Sequence, residues 1–301
     1  MTFELKAYGP MDGRTVVITG GTSGIGHEAA RALSAAGAEV VLVSRSVERT
    51  AAAAELISVL AGMPVHAAVA DFSELAQVRA VAAELLERFP RIDVLANNAG
   101  TIYPARQVTT DGFEMTWQVD YLAPFLLTNL LEPALTAASP SRVISVSSDA
   151  HQGAWRGLEF DDLNGERSWS SFGAYSAAKL ANIMFAAELA RRWATLGVTC
   201  NSMHPGLVRT GFGRSGDWNE RSLWTLTSLW SLTAEQGAET LVYLASSPKV
   251  EGVSGEYFYK RSPKRPSGPA RDVGAQQRLW RETATVLGLE TAQEHTADSS
   301  S

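Results

Sequence analysis

The sequence predicts an α/β fold, a single doubly wound parallel sheet of about seven strands with helices on both faces. Short runs of β-branched and aliphatic residues alternate along the chain with longer segments rich in Ala and Leu. The first run ends in a glycine-rich turn that leads directly into a helical segment. Alternating strands and helices form parallel sheets covered on both faces, and such sheets bind ligands at the carboxyl ends of their strands.

Composition favours one folded domain over residues 1–290, followed by a disordered tail at 291–301. Of the 301 residues, 45% are hydrophobic and 19% charged, which is typical of a folded chain. A formal net charge of −6 gives no support for nucleic-acid binding. One basic cluster is broken by prolines and is interpreted as a solvated loop rather than a phosphate or partner site. It consists of Lys260, Arg261, Lys264 and Arg265.

Metal binding and membrane insertion are not expected. The single cysteine, Cys200, excludes an intrachain disulfide, lies in an apolar run and is predicted to be an inert core thiol. The five histidines show no paired metal-ligand spacing. No apolar run reaches the ~18 residues of a membrane helix, and residues 1–10 lack a signal-peptide core. We therefore expect a cytoplasmic protein.

The first strand, loop and helix predict a phosphate cradle. Residues 14–19 read as a buried strand and residues 27–36 as a helix, with Gly20, Gly24 and Gly26 between them. Glycine lets the backbone approach a pyrophosphate, which the free N–H groups of a helix start can bind. The spacing G-x-x-x-G-x-G departs from the common G-x-G-x-x-G fingerprint, so the interpretation as a Rossmann-type nucleotide site depends on the flanking elements.

The end of the second predicted strand, residues 39–43, indicates which dinucleotide binds. An acidic residue there would bind the ribose 2′-hydroxyl of NAD, but this chain has Ser44 and Arg45. A hydroxyl and a guanidinium suit a 2′-phosphate, so we expect NADP(H), with NAD(H) as the less favoured alternative. Arg45 could instead be a solvent-facing loop charge.

The alternation continues along the rest of the chain. Polar residues follow several strands; Asp71 could accept from the adenine amino group or hold a turn, and Asn97 is expected to be structural. Ser73 is a plausible N-cap of its helix. The terminal helix carries apolar residues that need burial, either against residues 211–232 or against another subunit; they are Val273, Leu279, Trp280 and Val286. The predicted helices are 46–60, 73–89, 111–131, 173–196, 233–246 and 271–287, and the predicted strands are 65–70, 94–96, 142–146, 198–204 and 256–259.

A tyrosine and a lysine on the predicted helix 173–196 suggest proton transfer. Tyr175 and Lys179 are four residues apart and therefore share one face. A positive charge about 4 Å from a phenol is worth roughly 4 kcal/mol at an effective dielectric near 20, which would lower the phenol pKa from about 10 toward neutrality. Tyr175 could then exchange a proton with an alcohol or ketone. The pair could also be coincidental, so its weight depends on the other motifs.

Five motifs in this order resemble the short-chain dehydrogenase/reductase family. The resemblance covers about residues 12–260 and is most similar to the retinol-dehydrogenase-like branch, which implies ancestry and not a retinoid substrate. The motifs are Thr19-Gly20…Gly24-Ile25-Gly26, Asn97-Asn98-Ala99-Gly100, Val146-Ser147-Ser148, Tyr175…Lys179 and Pro205-Gly206…Thr210.

The resemblance implies that Tyr175 is the general acid/base and that Ser148 holds the substrate oxygen. It further implies that Lys179 lowers the pKa of Tyr175 and binds the nicotinamide ribose. The residues alone are equally consistent with Ser148 as a loop cap and Thr210 as a turn residue. The predicted cofactor-binding residues are Gly20, Thr22, Ser23, Gly24, Ile25, Gly26, Ser44, Arg45, Asp71, Phe72, Asn98, Ala99, Gly100, Tyr175, Lys179, Pro205, Gly206, Val208 and Thr210.

Asp120 departs from the family pattern and is included among the predicted catalytic residues. The family usually has an asparagine there, whose backbone carbonyl holds a water of a relay that reaches the lysine. The carboxylate could pair with Lys179 or be protonated if buried. We expect activity to persist with a shifted pH profile.

The substrate is predicted to be a bulky, hydrophobic small molecule. By resemblance, residues 211–232 form a mobile lid, and Trp218, Trp224 and Trp230 within it could stack on the substrate or anchor short helices. Trp155 and Trp169 are further candidates for the rim of the site.

The sequence thus predicts an NADP-dependent oxidoreductase, a ketoreductase or alcohol dehydrogenase. The alternatives are a transient-redox epimerase or dehydratase on the same fold, and a catalytically silenced nucleotide-sensing module. The resemblance implies a homo-oligomer, either a dimer or a tetramer, and we expect no nucleic-acid or membrane partner.

Overall fold

Eight strands form one sheet in the order β3-β2-β1-β4-β5-β6-β7-β8, in which all neighbours are parallel except β7 and β8. The structure is a computed structural model that describes residues 9–208 and 232–289. The strands are β1 (Thr15–Thr19), β2 (Glu39–Ser44), β3 (Val65–Val69), β4 (Val94–Asn97), β5 (Ser141–Val146), β6 (Val198–His204), β7 (Tyr257–Tyr259) and β8 (Ser262–Pro263).

Helices cover both faces of the sheet, which confirms the doubly wound α/β fold. A π-helical turn, Gln118–Leu122, lies between α4 and α5, and Asp149–Gly153 forms a 3-10 turn directly after Ser148. Among the described helices, none is long and apolar enough to cross a membrane. The helices are α1 (Gly24–Ala35), α2 (Val47–Ala61), α3 (Leu75–Arg88), α4 (Met115–Trp117), α5 (Ala123–Leu130), α6 (Glu132–Ala137), α7 (Ser171–Arg192), α8 (Ala234–Ser246) and α9 (Val273–Val286).

The core lies in two layers, one on each side of the sheet. Because side chains alternate along a strand, Val17 of β1 packs with α3, α5 and α7, whereas Val16 and Ile18 pack with α1, α2 and α8. Strands buried on both faces need continuous apolar runs, which explains why the β-branched segments were readable from the sequence. Cys200 is buried, as expected, and burial raises the pKa of its thiol.

Two helices begin later than predicted because a side chain bonds the turn before them. Ser73 is not the N-cap of α3, which begins at Leu75, because the Ser73 hydroxyl donates to Asp71 Oδ1 at 2.7 Å. The helix predicted from residue 111 begins at Met115, where the Glu114 carboxylate accepts from the Trp117 amide at 2.7 Å. In both cases a side-chain hydrogen bond holds the preceding turn out of the helix.

The terminal helix α9 packs on the long helices of its own chain. Leu279 and Trp280 are buried within this chain, whereas Val273 and Val286 are exposed on it. The Trp280 ring lies 4.8 Å from Phe125 on α5 and 5.9 Å from Phe185 on α7, measured between centroids. This contact covers part of the face formed by α5 and α7.

The basic loop near the end of the chain is only partly solvated. Lys260, Arg261 and Arg265 are exposed, as predicted. Lys264 contradicts the prediction, because its Nζ lies 2.8 Å from both carboxylate oxygens of Asp149. The tight turn from β7 to β8 folds the loop back toward the sheet. A lysine that reads as solvated in the sequence therefore becomes one half of an ion pair.

Candidate active site

The three groups predicted to carry proton transfer lie together. Tyr175 and Lys179 are on α7, and Lys179 Nζ lies 5.3 Å from the centroid of the Tyr175 ring. Ser148 lies two residues beyond the end of β5, and its side chain is hydrogen-bonded to Tyr175. Ser148 Oγ also accepts from the Ala150 amide at 3.1 Å. The Tyr175 phenol therefore has a hydroxyl partner and a neighbouring cation.

The two adjacent serines have different environments. The Ser147 side chain is buried, and its Oγ donates to the backbone carbonyl of Lys179 at 2.6 Å. This bond ties the end of β5 to α7 at the turn that carries the lysine. Ser148 is less buried and faces Tyr175. The Ser148 hydroxyl, and not that of Ser147, is therefore the one beside the Tyr175 phenol.

Asp120 forms a buried ion pair with Lys179. Its Oδ2 lies 3.0 Å from Lys179 Nζ, and both side chains are almost completely buried. Its Oδ1 accepts from the Thr101 amide at 2.8 Å. Of the two alternatives that the sequence left open, the structure thus shows pairing with Lys179.

Asn182 is a site residue that the sequence reasoning missed. Its Nδ2 donates to the backbone carbonyl of Asp120 at 3.0 Å, the atom expected to hold a water in this family. One lone pair of that carbonyl is therefore used by a side chain. Asn182 follows Lys179 by three residues and so shares its helix face, which is the signal that could have identified it.

The net effect on the Tyr175 phenol is opposite to the lowering that was expected. Burial raises the pKa of Tyr175 and the Asp120 carboxylate adds to this, whereas Lys179 and the Ser148 hydrogen bond oppose the rise. Burial alone would lower the pKa of Lys179, but the charges of Asp120 and Tyr175 outweigh it and raise that pKa. Burial likewise raises the pKa of Asp120, opposed chiefly by Lys179. The lysine thus remains a cation, and part of its influence on Tyr175 is offset by Asp120.

Gly100 lies against the ion pair. A Cβ at this position would be 2.9 Å from Asp120 Oδ2 and 2.9 Å from Lys179 Nζ. Only glycine leaves these two charged groups undisturbed, because the contacts would be closer than van der Waals distance. The glycine of the Asn97-to-Gly100 motif is thus required by the pair beneath it.

We predict that Gly100→Ala lowers kcat at least about tenfold, since displacing a catalytic group by a fraction of an ångström is enough to cost that much. Steady-state kinetics would measure it. Gly268→Ala is a matched control, because a Cβ there meets no described atom within 4 Å. Equal rates in both variants would contradict the tight packing over the ion pair.

The glycine loop has the shape of a phosphate cradle. Gly20 has φ +70°, and a Cβ at Gly26 would lie 2.5 Å from the Gly20 carbonyl oxygen. Helix α1 begins at Gly24, earlier than predicted, and its first turn contains no acidic residue. Within the described residues, the Ser23 side chain makes no capping bond to this helix. The first N–H groups of α1 can therefore bind a pyrophosphate, and the loop fits a dinucleotide.

Asn98 braces this loop. Its Nδ2 donates to the Thr19 carbonyl at 2.8 Å and to the Gly20 carbonyl at 3.3 Å. Thr19 Oγ1 in turn accepts from the amides of Asn98 and Ala99, at 3.0 and 2.9 Å. Asn97 is buried and donates to Thr128 Oγ1 at 2.8 Å, in the structural role expected for it. The motif after β4 thus fixes the glycine loop after β1.

The residues predicted to bind the adenosine half of the cofactor differ in exposure and in their hydrogen bonds. Ser44 ends β2, and Arg45 is exposed directly after it. Asp71 Oδ1 accepts from the Ser73 amide at 2.9 Å, so this carboxylate holds a turn, the alternative considered above. The Phe72 side chain lies in the core, which leaves only its backbone for a cofactor.

The last predicted motif lies at the end of β6. Gly206 has φ +92°, and Val208 forms an isolated parallel bridge with Leu232. Ile25 lies next to this segment, since a Cβ at Gly237 would contact both Ile25 and Val208. Thr22 lies in the glycine loop and is partly exposed. Thr210 and the lid tryptophans Trp218, Trp224 and Trp230 lie outside the described residues, as does the predicted tail.

The two other tryptophans behave differently. Trp169 Nε1 donates to Glu114 Oε1 at 3.2 Å, so this ring is anchored to the protein. Trp155 is mostly exposed, with the Arg156 guanidinium 4.5 Å from its ring centroid. Of these two rings, that of Trp155 is the more exposed.

Comparison with known proteins supports the assignment from the motifs. The family described as short chain dehydrogenase matches residues 14–160 and 162–220. A protein of Streptomyces sp. (strain C5), named "Putative daunorubicin C-13 ketoreductase DnrU", is 44% identical over 283 residues, covering 93% of this chain and 95% of that protein. Human retinol dehydrogenase 14 is 40% identical over 300 residues, covering 93% of this chain and 88% of that protein.

A solved structure shows the same architecture. The Pseudomonas aeruginosa RhlG/NADP active-site complex has a TM-score of 0.68 and 25% sequence identity, and the match covers 88% of this chain and 99% of that one. The chain therefore belongs to the short-chain dehydrogenase/reductase family, in the branch that contains the retinol dehydrogenases.

Proposed function

We propose that this protein is an NADP-dependent oxidoreductase that transfers hydride between nicotinamide and a carbonyl or secondary alcohol. Membership of the family makes it a hydride-transfer oxidoreductase that uses NAD(P). The observation that carries the proposal is the contact of Ser148 with Tyr175 beside the Lys179 ammonium. The presence of Ser148, Tyr175 and Lys179 together argues against a nucleotide-sensing module that has lost catalytic activity.

Each residue has a distinct part in carbonyl reduction. The nicotinamide cofactor, when bound, supplies the hydride. Tyr175 donates its phenolic proton to the carbonyl oxygen, and Ser148 Oγ holds that oxygen by a hydrogen bond. Lys179 keeps a positive charge near the phenol, which favours loss of the proton, while Asp120 fixes the position of the ammonium through the 3.0 Å ion pair. In alcohol oxidation the same groups act in reverse.

The preference for NADP depends on Arg45. It is exposed directly after β2, where a dinucleotide site of this kind meets the adenosine ribose. A guanidinium can bind a 2′-phosphate through charge-assisted hydrogen bonds, each worth about 1.5–3 kcal/mol. Ser44 and Ser46 supply nearby hydroxyl groups, although the Ser46 hydroxyl also caps α2 through the Arg49 amide.

We predict that Arg45→Ala raises the KM for NADPH about tenfold or more and leaves the KM for NADH within about twofold, because only NADPH carries the 2′-phosphate. The assay follows the loss of NADPH or NADH absorbance with a panel of carbonyl compounds. Arg49→Ala is the control, since Arg49 is an exposed arginine in the first turn of α2, the helix that begins two residues after Arg45. An equal effect of Arg45→Ala on both cofactors would contradict NADP recognition.

We propose a bulky, apolar or aromatic carbonyl substrate. Three large apolar side chains are exposed on segments that adjoin the site: Trp155 after the 3-10 turn, Phe172 one helical turn before Tyr175, and Leu207 after β6. Exposed apolar side chains around a site suit a hydrophobic ligand. Ketone reduction is also the reaction in the name of the Streptomyces relative. Turnover confined to small polar carbonyls in the panel would overturn this proposal.

A cytoplasmic homo-oligomer is proposed from the sequence resemblance and composition. In the described part of the chain, α9 covers part of the face of α5 and α7. An interface between copies through these long helices would therefore have to include α9 itself.

A further inference from the structure

A group of polar side chains outside the proposed proton-transfer site surrounds Asp149, the residue after Ser148. Lys264 Nζ lies 2.8 Å from each Asp149 oxygen, and the Tyr257 hydroxyl donates to Oδ1 at 3.0 Å. His204 Nε2 lies 3.5 Å from Oδ2. These partners come from β7, from the loop after β8 and from the end of β6. We call Asp149, His204, Tyr257 and Lys264 the Asp149 cluster.

The backbone on either side of the Ser148–Asp149 peptide is held as well. The Asp149 amide donates to His204 Nδ1 at 3.3 Å, so the neutral His204 ring carries its proton on Nε2. Burial lowers the pKa of His204 to about 4, which keeps this ring neutral. The Ser148 carbonyl accepts from His151 Nδ1 at 2.7 Å, and His151 Nε2 accepts from the Ser267 amide at 3.2 Å.

The loop that delivers Lys264 is held in a strained conformation. Lys260 and Arg261, between β7 and β8, have φ of +50° and +64°. Left-handed backbone at a residue other than glycine is unfavourable, and it persists only where the surroundings fix it. Here the Arg261 amide donates to Thr240 Oγ1 at 3.2 Å, and the Lys264 amide donates to the Tyr257 carbonyl at 2.7 Å.

The Asp149 carboxylate is ionised and has several partners. Burial would raise its pKa, but hydrogen bonds from Lys264 and Tyr257 and the neighbouring His204 outweigh burial and lower it. An isolated ion pair at the surface would contribute little to the stability of the protein. This pair is part of a network that fixes a peptide directly joined to the serine, so its effect is expected in geometry more than in overall stability.

We propose that Lys264 is a positioning residue for Ser148. By holding the Asp149 carboxylate, it keeps the Ser148–Asp149 peptide in the orientation in which Ser148 Oγ meets Tyr175. This inference rests on the proposed function, in which Ser148 holds the reacting oxygen. The phosphate cradle is built from β1, α1 and the segment after β4, none of which contributes to the Asp149 cluster. We therefore expect loss of Lys264 to affect the chemical step and to leave binding of the pyrophosphate end of the cofactor unchanged.

The test is Lys264→Met in the full-length protein, assayed by steady-state kinetics with a carbonyl substrate of the panel. We expect kcat to fall about tenfold or more, because small misplacements of a catalytic group have effects of that size. The KM for NADPH and the NADPH affinity, measured by fluorescence titration, should stay within about twofold. Lys264→Arg should restore most of the rate, since it can still bond both Asp149 oxygens.

Lys260→Met is the matched control. Lys260 and Lys264 lie 5.4 and 5.0 Å from the centroid of the same Tyr259 ring, but only Lys264 bonds Asp149. We expect a wild-type kcat for this control. Equal losses in the two methionine variants, or no rescue by Lys264→Arg, would overturn the positioning role. Tyr257→Phe removes only the hydroxyl that bonds Asp149, and we expect it to give a smaller loss of kcat. It replaces Lys264→Met as the test variant if thermal unfolding shows that Lys264→Met is unstable.

The outcomes separate this inference from the proposed function. A wild-type kcat in Lys264→Met, together with an active wild-type enzyme, overturns the positioning role alone. A wild-type enzyme that consumes no NADPH with any carbonyl contradicts both the proposed function and the positioning role, which rests on it.

Discussion

Tyr175→Phe is expected to lower kcat by at least about 10³-fold, within the range of 10²–10⁴ that a positioned general acid contributes. The phenylalanine ring keeps the packing of α7 but has no proton to donate to the carbonyl oxygen. Neither Ser148 nor Lys179 can replace it, because Ser148 is a weak acid and Lys179 is paired with Asp120. NADPH affinity should change little. Steady-state rates of NADPH consumption and a fluorescence titration measure the two quantities.

Tyr243→Phe is the control for this substitution. Tyr243 lies on α8 and packs against the opposite core layer from the one that contacts α7. It should keep the wild-type rate. A Tyr175→Phe variant that retains more than about a tenth of the wild-type kcat would contradict the assigned general acid, since the expected loss is far larger.

Asp120→Asn is expected to move the pH profile to lower pH by about one unit, because a buried charge a few ångströms away shifts a pKa on that scale. Asp120 raises the pKa of Tyr175, so its removal lowers that pKa. In alcohol oxidation the phenol must be ionised to accept a proton, and the rate rises with pH through its pKa. The rising limb therefore begins at lower pH in the variant. In reduction the phenol must be protonated, and the falling limb moves the same way.

The pH dependence of kcat in both directions, in wild type and variant, is the measurement. Asp111→Asn is the matched control, because Asp111 precedes the same helical segment and bonds the Leu75 amide and Gln118 Nε2 rather than Lys179. Its profile should match the wild type. An Asp120→Asn variant with unchanged rate and unchanged profile would show that the ion pair does not influence Tyr175.

The sequence identified the parts of the site that depend on local motifs. The glycine loop, Asn98 and Ser148 each follow a strand, and parallel strands end at one edge of the sheet, so their proximity was predictable. Tyr175 and Lys179 are joined by helix geometry alone. These residues are close together in the structure for the same reasons that made the motifs readable.

The pKa shifts and the ion pair of the site were harder to predict from the sequence. The direction of the Tyr175 pKa depends on burial, which exceeds the effect of Lys179 and is set by packing from several elements. Whether Asp120 would pair with Lys179 or take a proton depended on their separation. Neither the burial of Tyr175 nor the distance from Asp120 to Lys179 can be obtained from residue types and their spacing.

The contact between Lys264 and Asp149 had no local signal. The two residues are separated by 115 positions, and the prolines near Lys264 favoured a solvated loop. The turn at Lys260 and Arg261 uses positive φ at residues that rarely adopt it, so composition does not predict the chain reversal. The packing of Trp280 on Phe125 is likewise a long-range contact between segments with no shared motif.

Isotope transfer tests the central claim most directly. The enzyme would reduce a ketone of the panel with NADPH deuterated at nicotinamide C4, on the face from which this enzyme removes hydride, and the product would be examined by mass spectrometry and NMR. We expect deuterium on the carbinol carbon of the alcohol, with one label transferred for each NADPH consumed. Turnover that leaves this carbon unlabelled, or product formation without net consumption of NADPH as in a transient-redox epimerase, would contradict the account.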